Sequence, residues 1–229
     1  MDLTDSYLTN FPTATQARYE FYETRNAAAI LAATNRIRFD ELIDVLDGFT
    51  LLTSDLIESG GNESKLAGRL NVAFRETGWR EARVDQIIRL SLQKQPYRNA
   101  GETKAEVAET ETRSTGYKVD NFVDRVALDV EWNAKDGNLD RDLGAYRSLY
   151  DAGLIDGAVM ITRTVDDLRG LGTRLGERAG MSPEKVSRIL ATSTTTNTVK
   201  LIPRLTRGDS GGCPILVVAI CERTWDEDS

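Results

Sequence analysis

Along the first third of the chain, apolar residues recur at helical spacing. Residues 13–34 are alanine-rich and predict one helix, and Phe39–Phe49 (FDELIDVLDGF) predicts a second. Asn62–Thr77 (NESKLAGRLNVAFRET) predicts a third, with Asn62, Glu63 and Ser64 offering an N-cap and Gly78 a stop. Arg83–Leu92 (RVDQIIRLSL) partly alternates, as a strand does, whereas Gln95–Ser114 is polar, rich in Glu and Thr, and predicts an exposed loop. From Gly116 the pattern changes. Tyr117–Asp120 and Arg125–Trp132 (RVALDVEW) predict two strands. Leu139–Ala152 predicts an amphipathic helix with Leu139, Leu143, Tyr146, Leu149 and Tyr150 on one face. Ile155–Arg163 is continuously apolar inside and predicts a central strand. A helix over Thr164–Arg178 follows, then a helix start at Ser182-Pro183-Glu184 running to Leu190, a Thr-rich basic stretch over Thr192–Arg207, and a buried strand over Pro214–Cys221. The strand–helix–strand order predicts an α/β fold, a mixed sheet flanked by helices with a helical N-terminal portion.

The 229 residues suit one domain, read as residues 1–80 mostly helical and 81–229 carrying the sheet core and a C-terminal contact segment. MDLTDSYLTN at the start has neither a basic nor an apolar signal region, and the longest apolar run, Ile215–Cys221, is too short to span a bilayer. These features lead to the expectation of a cytoplasmic protein without a membrane partner. Cys213 and Cys221 lack zinc-ligand spacing and read as reduced thiols.

The chain contains no histidine. That excludes a Ser-His-Asp triad and histidine metal ligands, so Gly208-Asp209-Ser210-Gly211-Gly212 only imitates a serine-protease motif. Any metal must sit on oxygen ligands, which selects Mg²⁺, Mn²⁺ or Ca²⁺. The net charge is −7, but residues 182–207 carry Lys185, Arg188, Lys200, Arg204 and Arg207 against the single acid Glu184. Such a patch suits contact with a phosphate backbone.

The chemistry concentrates in VDNFVDRVALDVEWNAKD, residues 119–136. Asp129 and Glu131 are two apart on a predicted strand, so both point to one face, with Val130 and Trp132 on the other. Two acids so placed repel unless a cation or water lies between them. Asp120 ends the preceding strand, and a hairpin bend would bring it to the same point. An Asp-x-Glu pair on a solvated sheet face is the plainer alternative, set against here by the apolar flanks.

Residues 117–163, with Asp120 and then VALDVEWNAKDGNLDRDLGAYRSLYDAGLIDGAVMITR, resemble the BglII/BamHI-type restriction endonucleases, a branch of the PD-(D/E)xK nucleases. The likeness extends weakly to Gly211–Pro214 and the strand after it. It implies a restriction-endonuclease-like fold and Mg²⁺-dependent hydrolysis, with Mn²⁺ as a substitute, at a short palindromic site in double-stranded DNA. The cut would leave 5′-phosphate and 3′-hydroxyl ends. It also implies a homodimer in a prokaryotic cell that holds a cognate DNA methyltransferase. On this template Asp120 and Asp129 hold the metal and Glu131 orients or deprotonates water. Asp129 is shorter than the Glu usual at that position. A second register starts at Asp124, with Glu131 central and Asn133 third. Glu81, or Glu76, would supply a further acid. Asn133, Lys135, Thr195, Thr196, Asn197, Lys200, Arg204 and Arg207 are the expected DNA contacts, with Lys135 near the scissile phosphate. A nuclease of repair or recombination and a non-catalytic DNA-binding protein on the same fold are the competing readings.

Overall fold

The computed structural model describes residues 1–58, 64–191 and 194–227. Its helices are α1 (Tyr7–Asn10), α2 (Thr13–Arg18), α3 (Ala27–Thr34), α4 (Arg36–Gly48), α5 (Thr53–Ile57), α6 (Lys65–Glu76), α7 (Gly137–Asp151), α8 (Asp166–Arg178), α9 (Pro183–Arg188) and α10 (Thr198–Arg207). The strands are β1 (Tyr19–Glu23), β2 (Arg80–Arg83), β3 (Gln86–Lys94), β4 (Glu106–Ser114), β5 (Lys118–Val123), β6 (Val126–Val130), β7 (Gly157–Arg163) and β8 (Ile215–Ile220). Two compact units result: residues 1–82 with 119–229, and residues 83–118.

The larger unit is built on a six-stranded sheet in the order β1-β8-β7-β6-β5-β2. β6, β7 and β8 run parallel, with Leu128 opposite Val159 and Met160 opposite Val217. β5 and β1 pair antiparallel on either side of them, so the sheet is mixed, as expected. Every residue of β6, β7 and β8 is buried, which explains their unbroken apolar runs: helices cover both faces. Leu42 and Leu46 of α4 join Leu66, Leu70 and Phe74 of α6 and the β6 residues Leu128 and Val130 in one core. The N-cap expected of Asn62 and Glu63 lies outside the described residues, while Ser64 caps α6 by accepting from the Ala67 amide at 3.1 Å.

Three expectations change. The single helix over residues 13–34 divides into α2, β1 and α3. Tyr-Glu-Phe-Tyr-Glu alternates, burying Tyr19, Phe21 and Glu23, and β1 uses that period to pair with β8; the flanking alanines hid it. The strand over residues 83–92 breaks between β2 and β3. The loop over residues 95–114 contains β4, which pairs with β3 at nine successive positions. Its threonines suit a strand, and pairs such as Arg89–Glu111 and Lys94–Glu106 hold it rather than apolar burial. Ile88, Leu90 and Leu92 share one face of that ribbon with Ala108.

α8 and α9 meet over glycine. A methyl group on Gly172 would lie 2.5 Å from Cγ2 of Ile189, a stiff β-branched side chain, whereas Gly170 meets only the end of Arg174 at 3.5 Å. Replacing an interior helical glycine by alanine gains about 0.5–1 kcal/mol where space allows. Gly170→Ala is therefore expected to raise the urea midpoint and Gly172→Ala to lower it. Equal stabilisation by both would show that the α8–α9 contact tolerates the methyl.

Candidate active site

β5 and β6 form a hairpin in which Asn121 faces Leu128 and Val123 faces Val126. Asp124 lies in its turn with φ 47°, and its exposed carboxylate binds Arg38 at 2.7 Å. Away from the turn, the register sets Asp120 beside Asp129. The Asp120 amide donates to Asp129 Oδ1 at 2.8 Å, and the Val130 amide donates to Asp120 Oδ2 at 3.3 Å. The hairpin thus joins Asp120 to Asp129 and leaves Asp124 at its opposite end.

Asp129 and Glu131 are 4% and 5% exposed, and Val130 and Trp132 pack into the core, as the strand period requires. α7 closes the space beside the acids. Its Tyr146, fully buried, donates its hydroxyl to Asp129 Oδ2 at 2.5 Å. Its Asp142, 2% exposed, accepts from Arg141 Nε at 2.9 Å, while Arg141 Nη2 stands 4.0 Å from Glu131 Oε1. Neither Asp142 nor Arg141 was expected from the sequence. The available signal was an acid on an apolar stripe: Asp142 lies three residues after Leu139 and four before Tyr146, on the buried face.

Burial makes these acids hard to ionise. The Asp129 carboxyl is pushed up to about 7, by burial first and then by Asp142 and Asp120, with the Tyr146 and Asp120 hydrogen bonds opposing. Burial, then Asp142 and the other acids, raises Glu131; burial alone raises Asp142, with Arg141 and a hydrogen bond to Glu131 opposing. Glu131 and Asp142 bond to each other only by sharing a proton; among the described residues no other group donates to the buried Glu131 Oε2 and Asp142 Oδ2. Such acceptors are costly to leave empty. Oxygen-only donors, crowded and in part unpartnered, fit a hard divalent cation. Among the described residues no three acids already converge closely enough to hold an ion, so the side chains would have to draw in around it.

The remaining expected residues divide by exposure. Glu81 is exposed on β2, next to the Asp120 strand, and Glu76 is exposed at the end of α6. Asn133 and Lys135 are exposed just beyond β6. Residues 134–136 run against 194–196: the Thr196 amide donates to Ala134 O, and the Asp136 amide to Thr194 O, both at 2.9 Å. Thr195 therefore sits beside Lys135, half-buried. Thr196 and Asn197, also expected as DNA contacts, are buried and bonded within the chain. Thr196 donates to the Glu131 carbonyl at 3.0 Å, and Asn197 caps α10 by accepting from the Lys200 amide. The stretch expected as a basic surface is the helix α10, and acids neutralise its cations. Lys200 meets Asp136 at 3.1 Å, Arg204 chelates Asp140, and Arg207 binds Asp209.

The family model for the restriction endonuclease BglII/BglIII matches residues 19–220. The chain belongs to that family and is a type II restriction endodeoxyribonuclease, a hydrolase whose substrate is double-stranded DNA. The mixed sheet is the restriction-endonuclease-like fold. Enzymes of this kind generally use a divalent metal. A search of curated proteins found no match. No helix among the described residues is long and apolar enough to cross a membrane.

The raised carboxyls set a pH dependence in the metal-free protein. The folded state holds protons that the unfolded chain releases near the ordinary carboxylate value. Stability due to these groups is therefore present at low pH and falls as pH rises through about 7 for Asp129. Without divalent ions, Glu131→Gln should be more stable than the native chain at pH 8, with a smaller advantage at pH 5. Urea denaturation of both proteins measures this. A difference that does not change with pH would deny the crowding.

Proposed function

We propose that the chain hydrolyses DNA with Mg²⁺, or Mn²⁺ in its place, at a short palindromic site and leaves 5′-phosphate ends. The observation that carries this reading is the pairing of Asp120 with Asp129 across one hairpin, with buried Glu131 two residues further along the strand. Asp120 and Asp129 would hold the metal. Bound there, the ion supplies positive charge to the phosphate and acidifies water. Glu131, ionised once positive charge is held beside it, would accept the proton as water attacks in line. Tyr146 fixes Asp129, and Glu81 supplies a further acid from β2. Asn133, Lys135 and Thr195 are the proposed DNA contacts nearest the strand end. Lys200, Arg204 and Arg207 would reach phosphates only by exchanging their present acidic partners.

The 1–229 stretch is proposed to act as one endonuclease, and a palindrome calls for a two-fold dimer of it. A cytoplasmic setting beside a methyltransferase that protects the same sites completes the reading.

Digestion of a long sequenced duplex with Mg²⁺ tests the proposal. Discrete fragments with ligatable 5′-phosphates are expected. Asp129→Ala and Glu131→Ala should lose about 10²–10⁴-fold in rate, the range for a lost acid–base group. A smear would favour the structure-cutting repair nuclease. Retained cleavage in both variants would remove the site. Sedimentation should show a dimer, and a monomer on its cut site would remove that part.

A further inference from the structure

Arg163, the last residue of β7, is fully buried, and among the described residues none of its partners is a carboxylate. It donates Nε to Asn133 Oδ1 at 3.0 Å, Nη1 to the Thr164 carbonyl at 3.2 Å, and Nη2 to the Leu190 carbonyl at 3.4 Å and Thr195 Oγ1 at 3.2 Å. A buried cation without an acid is a costly choice for stability, and an apolar side chain would fill the space at less cost. What the guanidinium does provide is geometry. It joins the segment after β6, the end of β7 and the segment before α10. Two further bonds tie this junction to the catalytic strand, because the hydroxyls of Thr162 and Thr196 both donate to the Glu131 carbonyl at 3.0 Å.

The consequence falls on Asn133. Its backbone is left-handed, with φ 54°, a conformation that asparagine tolerates better than most side chains. Arginine carries only donors, so the atom it meets must be the amide oxygen. Oδ1 is therefore turned to the buried guanidinium. Nδ2 has no partner within the chain among the described residues, and the residue is exposed. A free asparagine can pair with adenine through both N6 and N7, using its oxygen and its nitrogen together. With the oxygen held inward, Asn133 offers donors alone.

We propose that Arg163 is a specificity-positioning residue that makes Asn133 a donor-only reader of an acceptor on a base edge: purine N7, guanine O6 or thymine O4. The inference rests on the DNA-cleaving reading above and deepens it. Thr195 is held in the same way, since its hydroxyl donates to the Ala191 carbonyl at 2.8 Å while accepting from Arg163. It shapes the junction, and toward DNA its hydroxyl can only accept, through the remaining lone pair.

The test uses the full-length protein and the duplex that it cuts. At each base a single acceptor is removed with 7-deazapurine, 2-aminopurine or a thymine analogue lacking O4. One replacement should slow native cleavage about tenfold, within the range for a lost base contact, and have no further effect on Asn133→Ala. Arg163→Lys should cut the rate ratio between the true site and sites with one changed base about tenfold, with melting temperature measured alongside. A merely structural role would lower the melting temperature and leave that ratio intact, which overturns the proposal. So would the lack of any analogue whose effect disappears in Asn133→Ala. If Arg163→Lys does not fold, the Asn133 comparison decides. A native protein that cuts no duplex overturns the DNA-cleaving reading and this inference together. Native cutting without the analogue effect overturns the inference alone.

Discussion

Everything around the candidate site answers to the crowding of carboxylates between β6 and α7. Asp129, Glu131 and Asp142 are each at least 95% buried, and Asp120 adjoins them. Like charges in a low-dielectric space oppose folding unless something compensates them. The chain supplies partial compensation: a tyrosine hydroxyl, two backbone amides and the one guanidinium of Arg141. Among the described residues, Glu131 Oε2 and Asp142 Oδ2 have no donor beyond a proton shared between the two acids. The rest of the larger unit bears this cost through three central strands buried along their whole length. Such stored electrostatic strain is expected where a cation is to be bound, and it is hard to explain as a stabilising feature.

The same logic explains how an acidic protein handles an anionic substrate. Its net charge is −7, and the cations of α10 are matched by acids from elsewhere in the chain. Attraction to DNA therefore does not come from a uniform basic face. On the proposed reading, specific contacts and exchange of ion-pair partners would supply it, which suits an enzyme that must leave most of the DNA it meets uncut.

The segments proposed for catalysis and for reading DNA are mechanically close. The Glu131 carbonyl accepts from two threonines that belong to the walls of the Arg163 junction, and residues 134–136 are zipped to 194–196. A shift at the exposed end of β6 therefore moves the backbone that carries the acids. Coupling between recognition and hydrolysis needs only this short path, with no distant relay.

By itself the sequence determined what strand period and residue chemistry can determine. Alternation placed Asp129 on β6 and Glu131, one residue past its end, on one face. The absence of histidine restricted the metal to oxygen ligands. Unbroken apolar runs marked β7 as central and β8 as buried, and helical spacing marked α4, α6 and α7. Local pattern failed where pairing rather than burial holds an element: β4 has no buried face, and β1 hides among alanines. Tertiary structure alone decided the rest. The resemblance put Asp120 before Asp124, but only the hairpin register shows that Asp120, and not Asp124, lies beside Asp129. Only helix packing could bring Asp142 and Tyr146 to the acids, since each reads along the chain as an ordinary position on an amphipathic helix. The fates of Thr196 and Arg163 were likewise invisible in the sequence. A polar side chain looks the same in sequence whether it meets solvent or a buried carbonyl, and only the fold determines which.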